Sequence, residues 1–181
     1  MRLKNSRFYG YDISDRAISF AKAFTEKPTV AVHDITIDAL PEKPAAIVSC
    51  EVIEHIKPDQ VSDYCKNIAD SLANEGQLYL TTPTTNVPTN AKHYQHFTKD
   101  LLTTYLEPYF IIEEIAYLNC VNTYSKFLAR LLANRFFISN SPTVNRWVLN
   151  QYKKRCLHGK EKTGSRIYIK AIKKTWPLAN Q

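Results

Sequence analysis

Three acids and a small group of histidines carry the chemistry that this sequence could do. Asp12 follows the aromatic run Phe8-Tyr9-Gly10-Tyr11, Asp34 follows Thr29 to His33, and Glu51 follows the apolar run Ala45 to Cys50. Each run reads as a strand, so each acid stands where a strand gives way to a loop. Glu51, Glu54 and His55 are spaced i, i+3, i+4 and share one face of a helical turn. With His93 from a later loop, the set Glu51, Glu54, His55 and His93 offers carboxylate and imidazole donors suited to a divalent metal. The structural alternative is that His55 caps or hydrogen-bonds a neighbouring loop. Tyr94, His96 and Phe97 either line a substrate side or anchor the helix that begins after Thr98.

The elements that must position these residues follow from periodicity. Ser14 can cap a helix whose apolar positions are Ala17, Ile18, Ala21 and Phe24. The run Ala45 to Cys50 is apolar throughout, as expected of a strand buried on both faces. Pro58 opens a helix with Val61, Tyr64, Cys65, Ile68 and Leu72 on one side, and Gly76 suits its C-terminus. Strands follow at Gln77–Pro83 and Phe110–Tyr117, with a helix from Lys99 to Leu106 between them. Strands alternating with helices at this spacing predict an α/β fold, doubly wound around a mostly parallel sheet. In such sheets ligands bind beyond the carboxyl ends of the strands, the edge that holds Asp12, Asp34 and Glu51.

Hydrophobic residues make up 44% of the 181-residue chain and charged residues 23%, the balance of a chain that buries a core. No apolar run approaches the ~20 residues that cross a membrane, and the start lacks the apolar stretch of a signal peptide. Cys50, Cys65, Cys120 and Cys156 lie far apart, which fits a reducing cytoplasm and no disulfide framework. Charge is unevenly spread. Residues 1–120 carry 11 Lys and Arg against 16 acids, whereas residues 121–181 carry 13 against the single acid Glu161. The basic part opens with two helical stripes, Tyr124, Phe127, Leu128, Leu131 and Leu132, then Val144, Trp147, Val148 and Tyr152. It closes with Arg166 to Lys173, which reads as an edge strand carrying lysines. The basic part is either a solvated surface or a docking face for phospholipid, a lipid-linked phosphate or RNA.

The run Tyr9-Gly10-Tyr11-Asp12-Ile13-Ser14, then His33-Asp34-Ile35, then Ile47-Val48-Ser49-Cys50-Glu51-Val52-Ile53-Glu54-His55-Ile56, then Thr82-Pro83 and His93, resembles class I methyltransferases that use S-adenosylmethionine. The third segment resembles the subgroup of ubiquinone-biosynthesis O-methyltransferases. The resemblance spans Phe8 to Phe110 and implies that Asp12, with Ile13, holds the cofactor's ribose, that Asp34 and Ile35 flank its adenine, and that Glu51 lies near its methionine end. It implies a base for transfer to a hydroxyl, with His55 and His93 as candidates, and puts Tyr94 and His96 on the substrate side. Relatives with the E-x-x-E-H motif include both metal-dependent and metal-free enzymes, and the metal-free reading is the favoured expectation here. The resemblance also implies that Arg166 to Lys173 is an antiparallel strand inserted beside Phe110–Tyr117.

Three places depart from the pattern: Ala45, Thr84, and the lack of a G-x-G-x-G loop before Asp12. The expectation is therefore a methyltransferase truncated at its N-terminus. It comprises a partial cofactor-binding core over 1–120, a basic helical insertion or lid over 121–158, a closing strand over 159–174 and a tail over 175–181. The expected acceptor is a small molecule, a glycan or a lipid-linked compound, with peripheral contact to anionic membrane favoured over nucleic acid and a cytoplasmic location. The alternative is a degenerate, non-catalytic module that binds a membrane or partner through the basic helices.

Overall fold

The computed structural model describes residues 7–24, 29–120, 122–133 and 138–175. The expectations for Met1 to Ser6, Arg135 and most of the tail lie outside these residues. Seven strands and five α-helices follow in order: β1 (Tyr9–Asp12), α1 (Asp15–Phe24), β2 (Thr29–Val32), β3 (Ala46–Cys50), α2 (Val61–Ser71), β4 (Gln77–Pro83), α3 (Lys99–Leu106), β5 (Phe110–Cys120), α4 (Thr123–Leu132), α5 (Pro142–Arg155), β6 (His158–Gly159) and β7 (Gly164–Lys173). Two 3-10 turns, Ile53–His55 and Pro58–Gln60, join β3 to α2.

The strands form two sheets. One is the parallel pair β1-β2; the other has the order β3-β4-β7-β5-β6. β3 and β4 are parallel, and β7 is antiparallel to both β4 and β5. The antiparallel strand inserted beside β5 is thus as expected. It is not an edge, however, because β4 and β5 flank it on either side. Its odd-numbered residues Ile167, Ile169 and Ala171 are fully buried, and this period-two burial is what specifies its register. Its lysines are accommodated on either face: Lys170, on the half-buried face, pairs with Glu113 at 2.7 Å, and Lys173, at the end of the core face, donates to the Leu72 carbonyl at 2.8 Å.

The core lies on one side of the larger sheet. Leu78 and Leu80 of β4 and the buried residues of β7 pack against Tyr64, Cys65, Ile68 and Leu72 of α2, Leu102 and Leu106 of α3, Ile53 and Phe97. The opposite face is open among the described residues, which corrects the expectation that β3 is buried on both faces. Only Ser49 of β3 is buried, and Val48 is 68% exposed. The physical reason is position: β3 ends the five-stranded sheet, and nothing described covers its second face or its outer edge. Gly76 does not end the helix either. α2 stops at Ser71, and Glu75 supplies the left-handed residue of the turn at φ 57°. Gly76 is required because a Cβ there would meet the Ala73 carbonyl oxygen at 2.8 Å.

The connection from β2 to β3 is tied to α2. Asn67 donates to the Ile35 carbonyl at 2.9 Å, the Leu40 amide donates to Ser71 Oγ at 2.8 Å, and the Ala73 amide donates to the Pro44 carbonyl at 3.0 Å. The chain from Ile35 to Pro44 therefore descends beside α2 in the same direction as the helix. β1 is parallel to β2 and β3 to β4, so Asp12, Asp34 and Glu51 each stand at the carboxyl end of a parallel strand.

Candidate active site

These strand ends position the three acids. Asp12 ends β1, where its Oδ1 accepts the Ser14 amide at 2.7 Å, and Ser14 Oγ accepts the Ala17 amide at 3.2 Å to cap α1 as expected. Asp12 and Ile13 are exposed, Ile13 at 69%. Asp34 is half-buried, and its Oδ1 accepts both the amide and the hydroxyl of Thr36, at 2.9 and 2.7 Å. Ile35 packs against the edge of the core. Glu51 takes the left-handed conformation at φ 55°, a costly one for a side chain of its size, while its amide donates to the Thr81 carbonyl at 2.9 Å. Arg166 of β7 donates to Glu51 Oε2 at 2.8 Å, and Oε1 is buried with no hydrogen-bond partner. Arg166 carries no local signal in the sequence, because it reaches Glu51 only through the β4-β7 pairing.

One turn later the chain builds a second cluster. Ile53 and Glu54 are fully buried under the 3-10 turn. Burial pushes the Glu54 carboxyl up from its usual value, the nearby Glu51 adds to this, and a hydrogen bond from Thr82 opposes it. Thr82 Oγ1 donates to Glu54 Oε2 at 3.1 Å, while Oε1 has no partner. The Tyr94 amide donates to the Glu54 carbonyl at 2.8 Å, which holds the loop after β4 against the turn. His55 and His93 then meet edge to face, ring centres 4.7 Å apart.

The hydrogen bonds determine how these rings are protonated when neutral. Asn90 Oδ1 accepts the Lys92 amide at 2.8 Å, so its NH2 faces His93 Nε2 at 3.1 Å. His93 Nε2 must then accept, which puts the proton on Nδ1, and this donates to His96 Nε2 at 2.8 Å. His96 Nδ1 in turn donates to the Val87 carbonyl at 3.0 Å. Two backbone anchors thus give the same assignment from both ends. His55 Nδ1 donates to the Lys92 carbonyl at 2.9 Å, which leaves a lone pair on Nε2. Both nitrogens of His93 are engaged, so His55 is the better placed base of the two. His96 is buried and serves His93, whereas Tyr94 stands 58% exposed beside them.

Of the four expected metal donors, Glu54, His55 and His93 bring donor atoms within 4.8 Å of one another. Glu51 is not among them and is held by Arg166. The partnerless Glu54 oxygen suits a cation, but His93 would have to give up Asn90 or His96 to reach one. A shallow cleft with no separate sequence signature opens beyond the carboxyl end of β4, lined by Thr84, Asn86, Phe97, Lys99, Tyr117 and Glu161.

A family model described as methyltransferase domain matches residues 1–135. The chain belongs to this family. Among solved structures, this methyltransferase is similar to the N-methyltransferase NodS of Bradyrhizobium japonicum, at 14% identity and TM-score 0.57 over 92% of this chain and 73% of that one. NodS has also been solved in complex with S-adenosyl-L-homocysteine. A SAM-dependent methyltransferase of Archaeoglobus fulgidus matches at 15% identity and TM-score 0.59, over 91% and 75% of the two chains. A TehB-like SAM-dependent methyltransferase of Corynebacterium glutamicum matches at 13% identity and TM-score 0.60, over 93% and 68%. At these identities the likeness is one of fold. A comparison with curated protein sequences gives no match.

Proposed function

We propose that this methyltransferase uses S-adenosylmethionine to methylate an oxygen on a small, glycan or lipid-linked acceptor, as the ubiquinone-biosynthesis O-methyltransferases it resembles do on theirs. The observation that carries the reading is that Asp12, Asp34 and Glu51 each stand at the carboxyl end of a parallel strand. There the buried, partnerless Oε1 of Glu51 suits the ammonium of a cofactor's methionine end. In this reading Asp12 and Ile13 hold the ribose, and Asp34 and Ile35 flank the adenine. The cofactor supplies a methyl group made electrophilic by a sulfonium cation. The chain's own residues orient the acceptor and take its proton: His55 Nε2 accepts it, with the ring held by the Lys92 carbonyl.

The edges of β1 and β3 that are unpaired among the described residues, and the exposed Val48, support a second part of the proposal: the full site needs one more parallel strand between them, followed by the glycine-rich loop that the resemblance leads one to expect. Calorimetry with S-adenosylhomocysteine tests the reading. In a version extended by that strand and loop, Asp12→Ala is expected to cost ~1–3 kcal/mol of affinity, the loss of hydrogen bonds to a charged group. Unchanged affinity removes Asp12 from the site. No binding at all by the extended protein points instead to a non-catalytic module. The Glu54, His55 and His93 cluster favours a metal-assisted variant of the same reaction. Dialysis against a chelator followed by addition of Mg, Mn or Zn decides between the two, since a metal-free enzyme keeps its rate.

A further inference from the structure

The helical hairpin α4–α5 holds itself together without the main core. Leu128, Val148 and Cys156 are buried among Tyr124, Leu131, Leu132 and Tyr152, so the apolar stripes satisfy each other. The helices are antiparallel. Tyr124 at the start of α4 donates to Gln151 near the end of α5, and Arg155 lies over the Tyr124 ring at 5.1 Å. At the other end the Ser139 amide reaches back to the Leu132 carbonyl at 2.6 Å.

Five large, exposed apolar side chains take no part in this small core: Ile138, Val144, Leu149 and the two largest, Phe127 and Trp147. Phe127 is 52% exposed and Trp147 is 50% exposed. Each stands one residue before the buried centre of its helix, Leu128 or Val148, and so is turned from it by roughly 100° in the same sense. In an antiparallel pair that equal offset brings both rings to the same side of the hairpin. Lys154, seven residues after Trp147, emerges on that side too. Over residues 121–160 the sequence has eight Lys and Arg and no Asp or Glu. The hairpin leaves the sheet at Cys120 and returns at Cys156, whose carbonyl accepts the Cys120 amide at 2.8 Å. Cys120 pairs with Gly164 at the start of β7, next to Arg166, which pairs with Pro83 at the carboxyl end of β4. The hairpin therefore stands at the edge that carries the candidate active site.

We infer that this face is a docking surface for an anionic phospholipid bilayer, with Phe127 and Trp147 entering the headgroup region and the surrounding lysines and arginines meeting the lipid phosphates. Paired aromatics flanked by cations on an acid-free helical face are the composition of an interfacial anchor, and positive charge matches the surface potential of anionic membranes. A body that is net acidic over residues 1–120 keeps the remainder off such a surface. The docked orientation brings the sheet edge to the lipid. The inference thus deepens the proposed function, on which this step rests, by making the acceptor lipid-linked or amphiphilic.

The test is co-sedimentation of the 181-residue protein with vesicles of phosphatidylcholine alone or mixed with phosphatidylglycerol. Binding is expected to the mixed vesicles only and to weaken with salt. In a Trp176→Phe background, the remaining Trp147 fluorescence is expected to shift blue on binding. The triple variant Lys126→Glu/Lys153→Glu/Lys154→Glu is expected to weaken binding by roughly a hundredfold or more. Phe127→Ser/Trp147→Ser is expected to weaken it about tenfold, and Lys22→Glu on α1 to leave it unchanged. Unaltered circular dichroism melts establish that the variants fold. Absence of binding at low salt, or triple-variant binding equal to the parent's, overturns the inference. So does tight binding of an RNA oligonucleotide that depends on the lysines and not on the aromatic pair. S-adenosylhomocysteine calorimetry on the extended protein reports separately on the proposed function, since none of these residues lies among the cofactor candidates.

Discussion

Glu54 sits under a turn with no exposed surface, one carboxylate oxygen held by Thr82 and the other alone. Its raised pKa means that the folded state favours the protonated acid. The stability this group contributes is full below the usual glutamate range and is lost as pH rises through the raised folded value. Glu54→Gln keeps the shape and the Thr82 bond without the charge, so at pH 8 it is expected to raise Tm by a few degrees, on the order of 1 kcal/mol. The gain should close as pH falls below the carboxylate range. If thermal melts show Glu54→Gln equally destabilised at both pH values, the carboxylate has a partner that the geometry lacks. The thiols give a second residue-level check. Cys65 is fully buried, and burial pushes it up to about 12, whereas Cys50 is exposed. A disulfide reagent is expected to label Cys50 rapidly in the native protein and to leave Cys65 untouched until unfolding. Labelling of Cys65 in the native protein at the Cys50 rate would contradict the packing of α2.

Elements were legible in the sequence where periodicity and local contacts decide them. The stripe Val61, Tyr64, Cys65, Ile68 and Leu72 gave α2, and the spacing of Glu51, Glu54 and His55 put the last two beside His93. Long-range pairing was not legible. Arg166 meets Glu51, and Asn90 fixes His93, through loops and strands whose register no local pattern encodes. The burial of β3 was misread because an apolar run looks the same at the centre and the edge of a sheet. β6 was also missed, since two residues carry no period. Its effect is clear in the β5-β6-β7 junction, where Gly164 faces Tyr117 so closely that a Cβ would stand 2.7 Å from the Tyr117 Cβ. That contact is between main-chain-fixed atoms on paired strands and cannot relax by a rotamer change. Gly164→Ala is expected to cost about 1–3 kcal/mol, the scale of overpacking. Chemical denaturation is the measurement, and an unchanged midpoint would mean that the strands can part there without cost.

At the scale of the whole molecule, the two sheets share no hydrogen-bond ladder among the described residues. β1 pairs with β2 and β3 with β4, and among the described residues each of β1 and β3 leaves its other edge unpaired. Unpaired strand edges are ready templates for another strand. Around this break lie Phe8, Val32 and Val48, each roughly half exposed or more, and Phe20 and Phe24 of α1, which stack on each other at 4.7 Å rather than on a sheet. Apolar surface so arranged lacks a cover, and a parallel strand with its following helix would supply both the ladder and the cover. The proposed slot therefore predicts that amides on the outer edges of β1 and β3 exchange quickly with deuterated solvent in the 181-residue protein. They should become protected in a version extended by an upstream strand and glycine-rich loop, while β4 and β7 amides are slow in both. Cofactor affinity is expected to rise in the same extended version, because Asp12 and Glu51 would then belong to one continuous edge. Protection of both edges in the 181-residue protein itself would mean that they already pair, within the chain or between two copies, and the slot would be lost with it.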